Sequence, residues 1–145
     1  MVSTWFEEFL QNRLLFTSIL AWFTAETIKV PIRRFYYKEQ NWRKLWGAGG
    51  MPSAHSATVF SMAVSLGLRY GFGSSIFALA STLAMVVMYD ACGVRRQVGI
   101  QAKLLNAGRG ENEEMLKESV GHSPLQVFSG AAWGGLVALL AYLFV

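Results

Sequence analysis

The chain has 145 residues, room for one domain and no more. Apolar residues make up 53% of it and charged residues 15%, against about 25% charged in a water-soluble domain, so composition excludes an ordinary soluble fold, and the lone Cys92 excludes an intrachain disulfide. The formal charge of +4 would raise nucleic acid as a partner in a soluble protein, but here the basic residues sit in loops between apolar blocks, where a membrane lipid or a phosphate group fits and no nucleic acid is expected.

The segment Ser3–Arg13 sets Trp5, Phe6, Phe9 and Leu10 beside Glu7, Glu8 and Gln11, which predicts a short amphipathic helix lying in the membrane interface. No basic leader or small-residue cleavage site precedes the first apolar block, so that block reads as retained. Four apolar blocks follow, at about Leu14–Ile32, His55–Tyr70, Ser75–Ala91 and Val127–Val145. A spanning helix needs about 20 residues; the middle two are shorter and are extended by polar residues that face a bundle interior. The predicted fold is an all-α membrane protein, a bundle of about four transmembrane helices plus the N-terminal amphipathic helix, forming one domain over residues 1–145.

Within the first block Glu26 and Lys29 lie three apart, neighbours on one helix face. An intramembrane ionisable pair faces the bundle rather than lipid, with Glu26 read as the counter-charge of Lys29. The loop after this block holds Arg33, Arg34, Lys38, Arg43 and Lys44. It ends in Gly49-Gly50-Met51-Pro52-Ser53-Ala54-His55-Ser56-Ala57, where the glycines allow a turn and Ser53 is placed to cap the next helix. A helix start offers free N–H groups and a positive dipole end to a phosphate, beside which His55 would lie; an ordinary capped helix with an incidental histidine would read the same.

The link Gly71–Ser74 forces the second and third blocks to be antiparallel neighbours. The third block ends in Tyr89-Asp90-Ala91-Cys92-Gly93-Val94-Arg95-Arg96, where a carboxylate at the membrane edge calls for a partner. Arg95 or Arg96 can fold back toward Asp90 or grip phosphate oxygens in a bidentate way; interfacial anchoring is the plainer reading. The following loop, Cys92–Gln126, carries Arg95, Arg96, Lys103, Arg109 and Lys117 with Glu111, Glu113, Glu114 and Glu118, and its part Asn112–Ser119 is predicted to form a short surface helix. In Gly121-His122-Ser123-Pro124-Leu125-Gln126, Ser123 fits an N-cap, Pro124 the first helical position and Gln126 the far side of a capping box. His122, the only other histidine, thus stands at a helix start on the same membrane face as His55. Two imidazoles can divide labour, one attacking phosphorus and the other protonating the departing oxygen. In the last block Gly130 and Gly134, with Ala131 and Gly135, form a small-residue stripe that suits close helix approach, either inside the bundle or as the seam of a homodimer.

Four spans put both long loops on one side. Lys29 and those loops hold eleven of the 13 basic residues, Arg13 and Arg69 being the others. The positive-inside rule then places the loops, and the site with them, on the cytoplasmic side of the cell's inner membrane.

The three stretches containing His55, Asp90 and His122 together resemble the type 2 phosphatidic acid phosphatase superfamily, which includes vanadium haloperoxidases, and more closely its short divergent branch. The resemblance runs from about Lys29 to Gly134. It implies a metal-independent lipid phosphatase without a cofactor, in which His122 is the nucleophile forming a phosphohistidine and His55 the leaving-group acid. It further implies phosphate contacts from Ser53, from Lys29, and from Arg95 or Arg96, with Arg33 and Arg34 nearest to the missing arginine of the first motif. The chain departs from the superfamily in its long separation of Arg96 from His122, and in carrying Gln126 where an acid usually orients the nucleophile; Asp90 is the nearest substitute for that charge. The expected reaction is hydrolysis of a lipid phosphate monoester or diphosphate, with phosphatidylglycerophosphate or phosphatidic acid favoured by a cytoplasmic site. A lipid-phosphate-binding scaffold with impaired catalysis and a small lipid transporter using Glu26, Lys29 and Asp90 are the alternatives.

Overall fold

The computed structural model describes residues 2–36, 38, 49–110 and 114–144. Helix α1 (Val2–Leu10) leaves Trp5, Phe6, Phe9 and Leu10 exposed, as an interfacial helix would, and the ring of Phe9 meets that of Phe16 edge-on at 6.0 Å. Asn12 separates it from α2 (Arg13–Pro31), accepting the Leu15 N–H at 3.2 Å. The buried residues of α2 are Ser18, Ala21, Ala25 and Lys29, a single stripe at helical spacing, while Trp22 and Phe23 point outward. Beyond Pro31 the chain continues as a π-helical turn, Ile32–Tyr36.

Helix α3 (Ala54–Tyr70) has 17 residues, about 26 Å of helix, and is the centre of the bundle, packing on α2 and on the helices Ser75–Cys92 and Pro124–Phe144. Its buried residues are Ala54, Ser56, Ala57, Ser61, Ala63, Ser65, Leu66 and Gly67, nearly all small. Helix α4 (Ser75–Cys92) returns antiparallel after the four-residue link and shows Leu79, 72% exposed, and Met85 to the outside. After Gly93 comes α5 (Val94–Ala107), and the chain closes with α6 (Pro124–Phe144). The stretches 13–35, 75–107 and 124–144 are long and apolar enough to cross a bilayer, and α3 runs among them. This is an all-α membrane protein with a bundle of about four helices.

Two sequence expectations are corrected. The stretch 92–126 is not one long loop, because α5 occupies its first half. Its polar side chains hid it from a search for apolar blocks, yet Gly99, Ala102 and Asn106 recur at helical spacing and are buried. The surface helix expected over Asn112–Ser119 is absent from the described residues 114–119; the Leu116 backbone bonds to Asn106 instead. Arg43, Lys44, Glu111 and Glu113 lie outside the described residues.

The small-residue stripe of α6 packs inside the chain. A Cβ on Gly130 would stand 2.2 Å from the Ser53 carbonyl oxygen, and one on Gly134 2.2 Å from that of Ala57. Both glycines are buried, against α3. Trp133 Nε1 donates to Thr24 Oγ1 at 3.0 Å, tying α6 to α2. Lipid tails compete with apolar side chains, so helix association in a membrane depends on such close packing and hydrogen bonds. Gly134→Ala should accordingly lower unfolding stability in mild detergent by about 1–3 kcal/mol, the usual range for overpacking. Gly73→Ala, where a Cβ meets nothing within 4 Å, should leave it unchanged.

Candidate active site

Four helices deliver side chains to one cavity of about 500 Å³, lined among others by Glu26, Lys29, His55, Asp90, Arg95, Lys117 and His122. Lys29 comes from the end of α2, where its side chain is 4% exposed and its Nζ lies 2.7 Å from Glu26 Oε1. A buried ammonium requires such a partner, and Glu26 supplies it at the cavity wall. Asp90, at the end of α4, receives Arg95 Nε at 2.6 Å. This half-exposed pair folds Arg95 back from the first turn of α5 toward the cavity, as the sequence allowed.

His55 lies in the first turn of α3, which Ser53 caps: Ser53 Oγ accepts from the Ser56 N–H at 3.4 Å and from Ser56 Oγ at 3.0 Å. His122 stands just before α6, where the expected capping box is present. The Gln126 N–H donates to Ser123 Oγ at 3.3 Å, and the Ser123 N–H donates to Gln126 Oε1 at 2.9 Å. The same Gln126 oxygen faces His122 Nδ1 at 3.3 Å. Because the Ser123 N–H already donates to it, that atom must be an acceptor, and Nδ1 must carry the proton to reach it. Nε2 is then left with its lone pair.

Two backbone bonds fix these helix starts. The Ser53 N–H donates to the Gln126 carbonyl at 2.9 Å, and the His122 N–H to the Ala91 carbonyl at 2.9 Å. The loop before His122 is seated on α5. A Cβ on Gly99 would stand 2.6 Å from the Val120 oxygen, and one on Gly121, at φ +78°, would stand 2.3 Å from the Arg96 nitrogen. Buried Asn106 clamps the same loop: its Nδ2 donates to the Leu116 carbonyl and to Glu118 Oε1, and its Oδ1 accepts the Leu116 N–H, each at 2.8 Å. Lys117 reaches the cavity through this arrangement.

Burial lowers the pKa of His122 below the ordinary imidazole value, with smaller downward contributions from the positive charges of Lys29 and His55; the Gln126 hydrogen bond and Glu26 oppose it. At neutral pH the ring is unprotonated, the state a nucleophile needs.

Of the residues expected from the sequence, Lys29, His55, Asp90, Arg95 and His122 meet at the cavity, with Gln126 behind His122. Three do not line it. Ser53 is 0% exposed, its hydroxyl engaged within α3, so its place is that of a cap. Arg96 has an exposed side chain, and its backbone is the part that abuts Gly121. Arg33 donates from Nη2 to the Gly49 carbonyl and packs on Gly50, holding the turn before α3. Lys117 and Asn106 were missed; a buried asparagine at the spacing of Gly99 and Ala102 was the available signal for one, and nothing local marked the other.

The family described as Divergent PAP2 matches residues 10–137. A relative from Bacillus subtilis (strain 168), described as the uncharacterized membrane protein YuiD, is 37% identical over 157 residues, covering 95% of this chain and 99% of its own length. No solved structure matches significantly.

A titration of His122 by imidazole-resolved NMR should give a midpoint below the ordinary imidazole value. Lys29→Met, which removes a nearby cation, should move the midpoint up, and Gln126→Leu, which removes an acceptor for the ring N–H, should move it down. A midpoint at or above the ordinary value would contradict the burial described. By the extent of the match, the chain belongs to the Divergent PAP2 family.

Proposed function

We propose that this protein is a membrane lipid phosphatase that works through a phosphohistidine. The observation that carries the reading is the meeting of His55 and His122, each at a helix start, in one cavity with Lys29, Arg95 and Lys117. Three cations face two carboxylates there, and both carboxylates are already paired with Lys29 and Arg95. The N-terminal ends of α3 and α6 add positive potential. Such an enclosure suits a phosphoryl group. Val86, exposed on the outer face of α4, also lines the cavity, so the cavity opens toward lipid, as a substrate anchored by acyl chains requires.

In the proposed reaction the lone pair of His122 Nε2 attacks phosphorus while the bond to the lipid oxygen breaks. His55, as imidazolium, gives that oxygen its proton. Neutral His55 then takes a proton from water, whose oxygen attacks the phosphohistidine and frees phosphate and His122. Gln126 fixes the tautomer of His122, and Lys29, Arg95 and Lys117 hold the phosphoryl oxygens; Asp90 acts on Arg95 by keeping it in place. No step calls for a metal.

The substrate class is a lipid phosphate monoester or diphosphate. The basic loops support a site on the cytoplasmic side of the cell membrane by the positive-inside rule, and with it phosphatidylglycerophosphate or phosphatidic acid as substrate. Purified protein in detergent micelles should release phosphate from one of a panel of lipid phosphates. His122→Ala should abolish release, and His55→Ala should slow it by about 10²–10⁴-fold, the usual worth of a general acid.

A second reading, a lipid-phosphate binder without turnover, is favoured by Gln126, which brings no negative charge to stabilise an imidazolium at His122. Binding of lipid phosphate with no release across the panel would select it. The cytoplasmic assignment is tested separately: a single cysteine at Lys38 in a Cys92→Ser background should react with a membrane-impermeant maleimide only after the cells are opened, and labelling of intact cells would reverse the orientation.

A further inference from the structure

A second cavity, of about 560 Å³, lies at the other end of the bundle. Its wall is formed by α2, α3 and α6, and includes Arg13, Phe16, Leu20, Ser65, Arg69 and Tyr142. Arg13 opens α2 and Arg69 lies in the last turn of α3, whereas Lys29 and His55 stand at the opposite ends of those same helices. The two cavities are thus separated by the length of the bundle and face opposite leaflets.

Three observations point to a ligand. First, Arg13 and Arg69, the basic residues outside Lys29 and the two long loops, both line this one cavity. Positive-inside anchoring does not account for arginines on the side that rule leaves poor in them. Second, Ser65 is 7% exposed and its hydroxyl has no hydrogen-bond partner. Four other hydroxyls of α2 and α3 return their protons to carbonyls of their own helix: Thr17 to Arg13, Ser18 to Leu14, Thr58 to Ala54 and Ser61 to Thr58. Ser65 breaks that habit while lining the cavity, and a buried polar group without a partner is costly. Third, Phe16, Leu20 and Tyr142 line the cavity and are also exposed on the outer faces of α2 and α6, so its apolar wall is continuous with the lipid-facing surface.

We infer that this cavity binds one anionic phospholipid of the leaflet opposite the histidine site. Its phosphate lies between the Arg13 and Arg69 guanidinium groups, its ester oxygens accept from Ser65, and an acyl chain runs along Phe16 and Leu20. A cavity of this volume is within the range of small-molecule sites, enough for the head group and the first carbons of a chain, with the remainder in the bilayer. The inference does not depend on the phosphatase reading.

The test is native mass spectrometry of the full chain in detergent, titrated with dioleoylphosphatidylglycerol and, separately, dioleoylphosphatidylcholine. A Lys29→Gln/Arg95→Gln background weakens capture at the histidine end and leaves the second cavity intact. In that background phosphatidylglycerol should be retained in preference to phosphatidylcholine. Adding Arg13→Gln/Arg69→Gln should weaken its retention by about tenfold or more, as expected for two cations near a lipid phosphate. Ser65→Leu, which fills the cavity without touching the charges, should do the same while the melting temperature shows the bundle intact. Equal retention of the two lipids, or phosphatidylglycerol retention unchanged by both sets of substitutions, would overturn the inference.

Discussion

The backbone contact between α3 and α6 is the constraint on which the rest of the structure depends. Gly130 and Gly134 let α6 lie directly on the carbonyls of Ser53 and Ala57, and the Ser53 N–H closes on the Gln126 carbonyl. That bond links the start of one helix to the start of the other. Since His55 is two residues beyond Ser53 and His122 four before Gln126, the register of this contact is also the register of the two imidazoles. A larger residue at either glycine would separate the helices and, with them, the cavity walls. Stability and site geometry are set by the same few atoms.

The electrostatics of the cavity follow from burial and pairing. Lys29 is paired in the bundle with Glu26, and Arg95 is drawn back across the Gly93 turn by Asp90. Each carboxylate is thereby occupied, leaving the potential in the cavity to cations and helix ends. Gln126 is the feature most unlike the wider superfamily. Its amide oxygen receives the Ser123 N–H and faces the His122 ring, so it can set the tautomer as an acid would. It does not supply the negative charge that stabilises an imidazolium. In the proposed reaction that charge would count once His122 Nε2 bonds phosphorus and the ring becomes cationic; before attack the ring is neutral, a state its burial favours.

Much of this was legible in the sequence because it is written locally. Apolar runs gave the main helices to within a residue or two at most ends, and the Ser-Pro-Leu-Gln capping box is present as read. The pairs Glu26/Lys29 and Asp90/Arg95 are separated by three and five residues, and local spacing sufficed to find them. What the sequence did not reveal depends on distant parts of the chain. Helix α5 was obscured because its buried face consists of Gly99, Ala102 and Asn106 rather than large apolar residues. Its function is to seat a loop, and the loop's shape comes from Asn106 and from glycines that admit backbone against backbone. Lys117 enters the cavity only because that loop is held there. Ser53, by contrast, was given a phosphate contact on the strength of its motif, but its hydroxyl is buried in the cap.

The central claim is that the two imidazoles serve one phosphoryl group, with His122 as the atom donor to phosphorus. It is tested most directly by quenching the protein in alkali during turnover of a ³²P-labelled lipid phosphate and mapping the label by peptide mass spectrometry. The account predicts an alkali-stable phosphoryl group on His122, which accumulates when His55 is replaced and a substrate with a good leaving group is supplied. Phosphate release accompanied by label on His55, or by no labelled histidine under those conditions, would contradict it.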